Sequence, residues 1–196
     1  MEHTWNYERM MNDGYMYSML PALRKIYPDK DEFLKACKRH LEFFNTTPHV
    51  ITLPLGISVA MEEQRANNIE TFDTASISSV KTAIMGPLAG IGDSFFWGTL
   101  RILATGVGTS LALQGNILGP ILFLLIFNVP AYVLRYILVF SGYKFGTNFI
   151  TTAEESGVMN LISKVAAILG LTVAGSMTAE MVSFSIPISF GTGETA

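Results

Sequence analysis

The stretch MGPLAGIGDSFFWGT, residues 85–99, decides how the rest of this sequence is interpreted. It holds four glycines, one proline and one acid inside a long apolar region. A phosphate-binding loop of the form GxxxxGK[ST] needs a lysine after the glycines, and none follows here. A dinucleotide-binding GxGxxG motif needs a third glycine where Phe95 stands. Both kinds of nucleotide site are therefore disfavoured.

A helix that breaks inside a membrane explains this stretch better. Within lipid, irregular backbone survives only where it is buried in protein or lines a wet cavity, and transporters build substrate sites from such discontinuous helices. We therefore predict a helix break at Gly86, Pro87, Gly90 and Gly92, beside Asp93. A packing role stays open, because a GxxxG pair lets two membrane helices approach closely.

Composition agrees with a membrane protein. Charged residues make up 15% of the chain, against ~25% in ordinary globular domains, and hydrophobic residues make up 49%. Eight of the 13 Lys and Arg residues lie within residues 1–73. We predict an all-α polytopic membrane protein, with amphipathic and re-entrant helices in residues 1–80 and transmembrane helices in residues 81–196.

Local signals divide the chain further. We expect a first helix over residues 6–23 that ends near Pro21, a second capped by Asp29 or Asp31, and a third over residues 50–65. Asp73 or Thr74 can cap the next segment. Apolar regions at residues 84–113, 117–140 and 158–190 are candidate membrane spans.

Several classes of function are disfavoured by composition. The formal net charge of −3 gives no basis for binding nucleic acid. Cys37 is the single cysteine, and the three histidines form no metal-binding pair, so we expect neither metal nor cofactor. A membrane enzyme would need a base beside Asp93, and the apolar region contains no histidine. We therefore expect no catalytic residue in this chain.

Asp93 is the most suspicious side chain, because an ionisable group at membrane depth is costly. The nearest cation in sequence is Arg101, about two helical turns or ~12 Å away on a straight helix. Asp93 therefore needs another partner, such as a ligand, water or a residue from elsewhere. By contrast, Glu62 and Glu63 end a predicted helix, and we expect both to be solvated.

Four segments carry a resemblance to a known family: WNYERM at residues 5–10, GYMYSMLPALRKIYPDKDEFLKACKRHLEFFNTTPH at 14–49, MEEQRAN at 61–67, and MGPLAGIGDSFFWGTLRILATGVG at 85–108. They resemble the IID components of the mannose/fructose/sorbose family of the bacterial phosphoenolpyruvate-dependent sugar phosphotransferase system. The resemblance is colinear and runs from about residue 5 to residue 182.

The resemblance implies a multi-pass subunit of the bacterial inner membrane that works beside a IIC subunit, in an expected trimer of IIC–IID pairs. Cytoplasmic IIA and IIB domains would relay phosphate on histidines, and IIB would phosphorylate a hexose of the mannose, fructose, sorbose or N-acetylgalactosamine class during uptake. The IID chain itself would carry no phosphorylated histidine. Family members extend beyond both ends of this sequence, so the resemblance also implies truncation.

Two hypotheses about its role follow. In the first, the chain helps to translocate sugar, and Asp93, Asn45, His49 and Trp97 are candidate sugar contacts. Carboxylate, amide and aromatic groups suit a ligand rich in hydroxyls, since buried hydroxyls need partners. In the second, the chain mainly holds IIC in its working shape. The glycines then serve packing, and Asp93 makes a structural hydrogen bond.

Overall fold

The computed structural model describes residues 2–153, with backbone alone for 147–153, together with Ile168 and Gly175. In this part of the chain the secondary structure is helical, apart from two isolated β-bridges that tie Met10 to Asn6 and to Phe44. A short 3-10 helix, Glu2–Thr4, precedes the α-helices. These are α1 (Asn12–Ile26), α2 (Lys30–His40), α3 (Thr52–Asn67), α4 (Ala75–Asp93), α5 (Arg101–Leu113) and α6 (Leu118–Ala153), and a π-helical segment, Ser94–Leu100, joins α4 to α5.

The first two helices form an amphipathic layer. The carboxylate of Asp29 accepts hydrogen bonds from the backbone N–H groups of Asp31 and Glu32, so the expected cap of α2 is confirmed. The expected end of the first helix near Pro21 is wrong, because α1 continues to Ile26. A proline inside a helix costs one hydrogen bond. Burial of the apolar side of α1 offsets that cost. The buried side chains on this side are Tyr15, Met19 and Leu23.

Helices α3 and α6 touch backbone to backbone. A Cβ atom on Gly56 would lie 2.2 Å from the carbonyl oxygen of Val139, and one on Gly142 would lie 2.2 Å from the carbonyl oxygen of Leu53. No side chain fits at either position, because real Cβ atoms do not approach other atoms so closely. Glycine on both helices therefore sets this crossing, as in membrane helices that pack through small residues.

The segment before and within α3 runs alongside α6. The ring of His49 lies 5.5 Å from that of Phe127 in the first half of α6. Ala60, in the middle of α3, lies against Gly146. Measured from Gly146, the loop before α3 thus reaches about two thirds of the way along the 29-residue span, and a re-entrant path for this segment stays a prediction.

Helix α4 corrects one prediction. It runs without interruption through Gly86, Pro87, Gly90 and Gly92, so the expected break at these residues is wrong. The departure from α-helical geometry comes later, in the π-helical segment that begins at Ser94. Proline withdraws a single backbone donor, and neighbouring helices compensate such losses in membranes.

Only α6, among the described residues, is long and apolar enough to cross a membrane by length and composition. Its candidate span is Leu118–Gly146, with a mean hydropathy of 2.0 over its best window. The expected span at residues 84–113 is helical but divided between α4, the π-helical segment and α5. The expected span at 158–190 lies outside the described residues. The expected division after residue 80 falls within α4 and stays a prediction.

Candidate functional site

Asp93 finds a partner from the loop before α3. The hydroxyl of Thr47 lies 2.7 Å from Asp93 Oδ1 and 2.9 Å from the carbonyl oxygen of Ala89. A hydroxyl carries one proton, so it donates to one of these acceptors at a time. Gly92 makes the approach possible, because a Cβ there would lie 2.6 Å from Thr47. The partner that the sequence left open is therefore a loop hydroxyl.

His49 lies beside this pair in an aromatic enclosure. Its imidazole stacks on Phe96 at 4.1 Å between ring centroids and meets the edges of Trp97 and Phe127, each at 5.5 Å. His49 is buried, and its Nδ1 has no hydrogen-bond partner in the described part of the chain. A polar group buried without a partner costs free energy unless a ligand or water supplies one.

Trp97 connects this enclosure to an open groove along α5. The groove has a volume of about 550 Å³. The guanidinium of Arg101 lies 5.3 Å from the centre of the Trp97 ring, and both side chains line the groove. Hydroxyl groups of Thr105 and Thr109 line it further along. The groove is within the size range of small-molecule sites, ~300–1,000 Å³.

The structure brings three of the four predicted sugar contacts into one region. Asp93, His49 and Trp97 are joined through Thr47 and Phe96. Asn45 lies apart from them. Its side chain is exposed and makes no hydrogen bond within the described residues.

A cation from α6 completes this region. The Nε of Arg135 is buried without a hydrogen-bond partner among the described residues, and its guanidinium lies 5.7 Å from the centre of the Tyr132 ring. The cluster of Val50, Phe96 and Ala131 packs close to it, with Leu134 and Leu138 at its edge. The region thus combines an anion, a cation, an imidazole and aromatic faces.

Folding places a histidine beside the acid of this region. The expectation that no histidine accompanies Asp93 is wrong, because folding carries His49 to the same region. Even so, the described residues contain no group of three or more His, Cys, Asp or Glu side chains able to hold a metal ion. Aromatic faces beside a carboxylate and unpartnered polar atoms form a surface that a polyhydroxylated ligand can occupy.

A second polar centre, around Glu62, contradicts the sequence expectation. Glu62 is 0% exposed rather than solvated. Arg39 donates two hydrogen bonds to its carboxylate, at 2.9 and 2.7 Å. His40 Nε2 lies 2.9 Å from Oε1, and the hydroxyl of Tyr27 lies 2.7 Å from Oε2. Its neighbour Glu63 accepts a hydrogen bond from Tyr143 of α6.

Charge pairing decides the protonation of this centre. Burial alone would raise the pKa of Glu62, but hydrogen bonds from His40 and Arg39 lower that pKa to about 2. Burial lowers the pKa of His40, and the hydrogen bond to Glu62 opposes that shift. A neutral His40 donates through Nε2 to the Glu62 carboxylate, and its Nδ1 is buried without a hydrogen-bond partner among the described residues. This centre fixes α2 to α3 and is structural in character.

Sequence reasoning missed Thr47, Phe96 and Phe127 as members of the first region. Thr47 gave a signal only as part of the short TTPH turn, and Phe127 only as one apolar residue among many in α6. Neither signal separates a site from ordinary packing, because contacts between distant segments are not encoded in local periodicity.

The chain is similar in sequence to known proteins of one family. A family model for the IID component of the mannose/fructose/sorbose phosphotransferase family matches residues 1–196. The mannose-specific EIID component of Escherichia coli K12 is 42% identical over 186 residues, which cover 94% of this chain and 65% of that protein. The sorbose-specific EIID component of Klebsiella pneumoniae is 40% identical over 185 residues, which cover 94% of this chain and 67% of that protein.

A solved structure is also similar. It is a cryo-EM structure of the mannose transporter ManYZ in complex with microcin E492. One of its chains is 39% identical to this chain with a TM-score of 0.83, and the match covers 96% of this chain and 69% of that chain. This chain spans about 65% of the length of the mannose-specific relative that it matches.

Proposed function

Because this chain belongs to the IID components of the mannose/fructose/sorbose family of the sugar phosphotransferase system, we propose that it is a membrane subunit that carries a hexose inward together with a IIC subunit. A cytoplasmic IIB domain, charged by IIA, phosphorylates the sugar during uptake. Three IIC–IID pairs form the assembled permease. The sugar belongs to the mannose, fructose or sorbose class, as the names of the relatives suggest, or to the N-acetylgalactosamine class that the family resemblance implies.

In this proposal the chain is a multi-pass protein of the bacterial inner membrane, with an amphipathic region at residues 1–80 and a membrane region at residues 81–196. Loops rich in Lys and Arg stay on the cytoplasmic side. Glu63 of α3 bonds Tyr143 near the C-terminal end of the α6 span, which puts the basic α2 near that end. The turn at residues 114–117 near the other end carries no charge. The C-terminal end of the α6 span therefore faces the cytoplasm.

The observation that supports direct sugar contact is the enclosure around His49. Thr47 holds one carboxylate oxygen of Asp93, and no donor reaches the other oxygen within the described residues. Trp97 is partly exposed and presents its indole ring to the α5 groove. A hexose that entered this groove would find an aromatic surface and an acceptor for its hydroxyl groups.

Uptake of radiolabelled hexose tests this proposal in cells that lack their own IID subunit. Asp93→Asn keeps the shape of the side chain and removes its charge, and Trp97→Phe keeps an aromatic ring of smaller area. We expect each variant to raise the KM for uptake while its abundance in the membrane stays unchanged. Ile102→Val, on the same groove without a polar contact, is the matched control. Wild-type kinetics in both site variants would exclude direct sugar contact.

The scaffold hypothesis has its own support. Thr47 engages Asp93, and Gly92 allows that approach, so the pair could serve only to hold the loop against α4. Gly92→Ala would displace Thr47, whereas Gly106→Ala, outside the Gly86–Gly92 stretch, meets open space and is the matched control. If the subunit is mainly a scaffold, Gly92→Ala reduces co-purification with IIC, and Asp93→Asn leaves the KM for sugar unchanged.

A further inference from the structure

A basic cleft lies between α2 and the start of α4, away from the aromatic enclosure. Its volume is about 540 Å³. The cleft is lined by four cations and one acid, beside a leucine and three small side chains of the first α4 turn: Arg9, Lys35, Lys38, Arg39, Leu41, Glu42, Thr74, Ala75 and Ser78. The lining thus combines positive charge with two hydroxyl groups and the N-terminus of a helix, which together favour an anion.

The cations of the cleft differ in how far they are already neutralised. Arg39 is bonded to Glu62, Lys35 to Glu32 at 2.8 Å, and Arg9 lies 3.3 Å from Glu8. Lys38 is exposed and has no acid within ion-pair distance in the described part of the chain. One cation without a counter-ion matches the single negative charge of a phosphodiester.

The buried ammonium group of Lys81, behind the lining of the cleft, adds to the positive potential there. Lys81 is 2% exposed, and its Nζ makes no hydrogen bond within the described residues. The nearest acid is Glu42, a lining residue, at 3.9 Å. The ring of Tyr15 lies 5.5 Å away on another side. An anion in the cleft would therefore gain attraction from a cation that is poorly screened by water.

The position of the cleft relative to α6 indicates which kind of anion it binds. Arg39 joins the cleft to Glu62, and Glu63 next to it bonds Tyr143 of α6. Tyr143 lies one helical turn before Gly146, where the candidate span ends. These contacts link the cleft to the end of the α6 span, where the lipid headgroups would lie if α6 crosses the membrane as proposed. Basic pockets at this level are suited to anionic lipid headgroups.

We propose that the cleft between α2 and α4 binds the phosphodiester headgroup of an anionic phospholipid. Lys38 supplies the positive charge without a counter-ion, and Ser78 and Thr74 donate hydrogen bonds to phosphate oxygens. A bound lipid would fasten the amphipathic layer to the membrane surface. The proposal does not depend on whether the aromatic enclosure binds sugar.

Native mass spectrometry of the intact protein in detergent tests this proposal, with phosphatidylglycerol and phosphatidylcholine as probes. We expect preferential retention of phosphatidylglycerol, and a roughly fivefold loss of that preference in Lys38→Gln, the effect of one interfacial cation. Ser78→Asp, which adds an acid to the cleft, should have at least the same effect. Lys30→Gln is the matched control, because Lys30 is an exposed cation of the same helix outside the cleft.

Three outcomes would overturn the proposal. Equal losses in Lys38→Gln and Lys30→Gln would show diffuse attraction to the membrane surface. Displacement of phosphatidylglycerol by an equal concentration of glycerol 3-phosphate would point to a soluble phosphate ligand. Unchanged lipid binding in Lys38→Gln, together with weaker binding of the isolated IIB domain, would make the cleft a protein-docking surface.

Discussion

Thr47 Oγ1 and Asp93 Oδ1 lie 2.7 Å apart, although 46 residues separate them in the sequence. The contact joins the loop before α3 to the last residue of α4, at the point where the helix becomes π-helical. π-helical segments occur frequently at functional sites. The Thr47 hydroxyl therefore holds the Asp93 carboxylate in position, and because a hydroxyl is uncharged it does not cancel the negative charge.

Thr47→Val removes the hydroxyl and keeps the shape of the side chain. Asp93 then loses its protein donor, and we expect destabilisation of about 1–3 kcal/mol, the cost of leaving such a group unpaired. Thermal unfolding in detergent measures the change. Thr47→Ser retains the hydroxyl and should unfold at nearly the temperature of the wild type. Equal unfolding temperatures for wild type, Thr47→Val and Thr47→Ser would mean that the contact contributes nothing to stability.

Gly142→Ala tests the crossing of α3 with α6. The new methyl group would meet the backbone of Leu53 at 2.2 Å, and backbone cannot rotate away as a side chain can. We expect the two helices to separate, with a loss of at least about 1–3 kcal/mol. Gly106→Ala adds the same methyl group where nothing lies within 4 Å, so it should be neutral. Protease sensitivity of the α2–α3 loop and thermal unfolding both report the difference.

Glu62→Gln tests the buried charge centre. Arg39 would lose its charged partner while remaining mostly buried, and removal of one partner of a buried ion pair costs about 3–5 kcal/mol. Glu70→Gln changes an exposed acid in the same way and should stay within about 0.5 kcal/mol of wild type. Chemical unfolding curves compare the two variants. An unchanged midpoint in Glu62→Gln would refute the structural role of this centre.

The same centre predicts a dependence of stability on pH. The pKa of Glu62 is lowered to about 2, from an ordinary value of 4.5, so its stabilising contribution is complete above that ordinary value and is lost as pH falls toward 2. The pKa of His40 is also lowered, so its contribution is complete above 6.5 and begins to be lost below it. Stability should therefore fall on acidification, starting below pH 6.5.

His40→Gln separates the two contributions. Glutamine can still donate a hydrogen bond to Glu62 but does not titrate, so the decline just below pH 6.5 should become smaller and the loss at lower pH should remain. Part of the decline stays, because burial also lowers the pKa of His49. His3→Gln changes an exposed histidine and should leave the whole profile unchanged. Unfolding temperatures recorded between pH 7.5 and pH 4 test this, and a decline just below pH 6.5 that is as large in His40→Gln as in the wild type would contradict it.

The sequence predicted the helical class, the cap at Asp29 and the apolar length of α6, because capping and periodicity are local properties. It failed at Pro87 and Pro21, where burial of the helix outweighs the local cost of proline. The importance of Asp93 could be inferred from the cost of an acid at membrane depth. Its partner could not, since Thr47 reaches it only through the folding of the loop.

The burial of Glu62 could not be predicted from the sequence either. An acid near the end of a helix is usually solvated, and no local pattern distinguishes Glu62 from its neighbour Glu63. Burial follows from the docking of α2, which brings Arg39 and His40 to this carboxylate. Such pairing depends on tertiary packing, so single-sequence patterns give no warning of it.

The crossing of α3 with α6 has a consequence for how the protein is made. Glu63 and its partner Tyr143 are 80 residues apart. Ribosomes add about 5–20 residues each second, so α3 is complete for roughly 4–16 s before the helix it must pack against has emerged. Throughout that interval Gly56 and the residues around it cannot pack against α6. The N-terminal third therefore lacks this packing partner until α6 has been synthesised. Its final position relative to the membrane depends on that later helix.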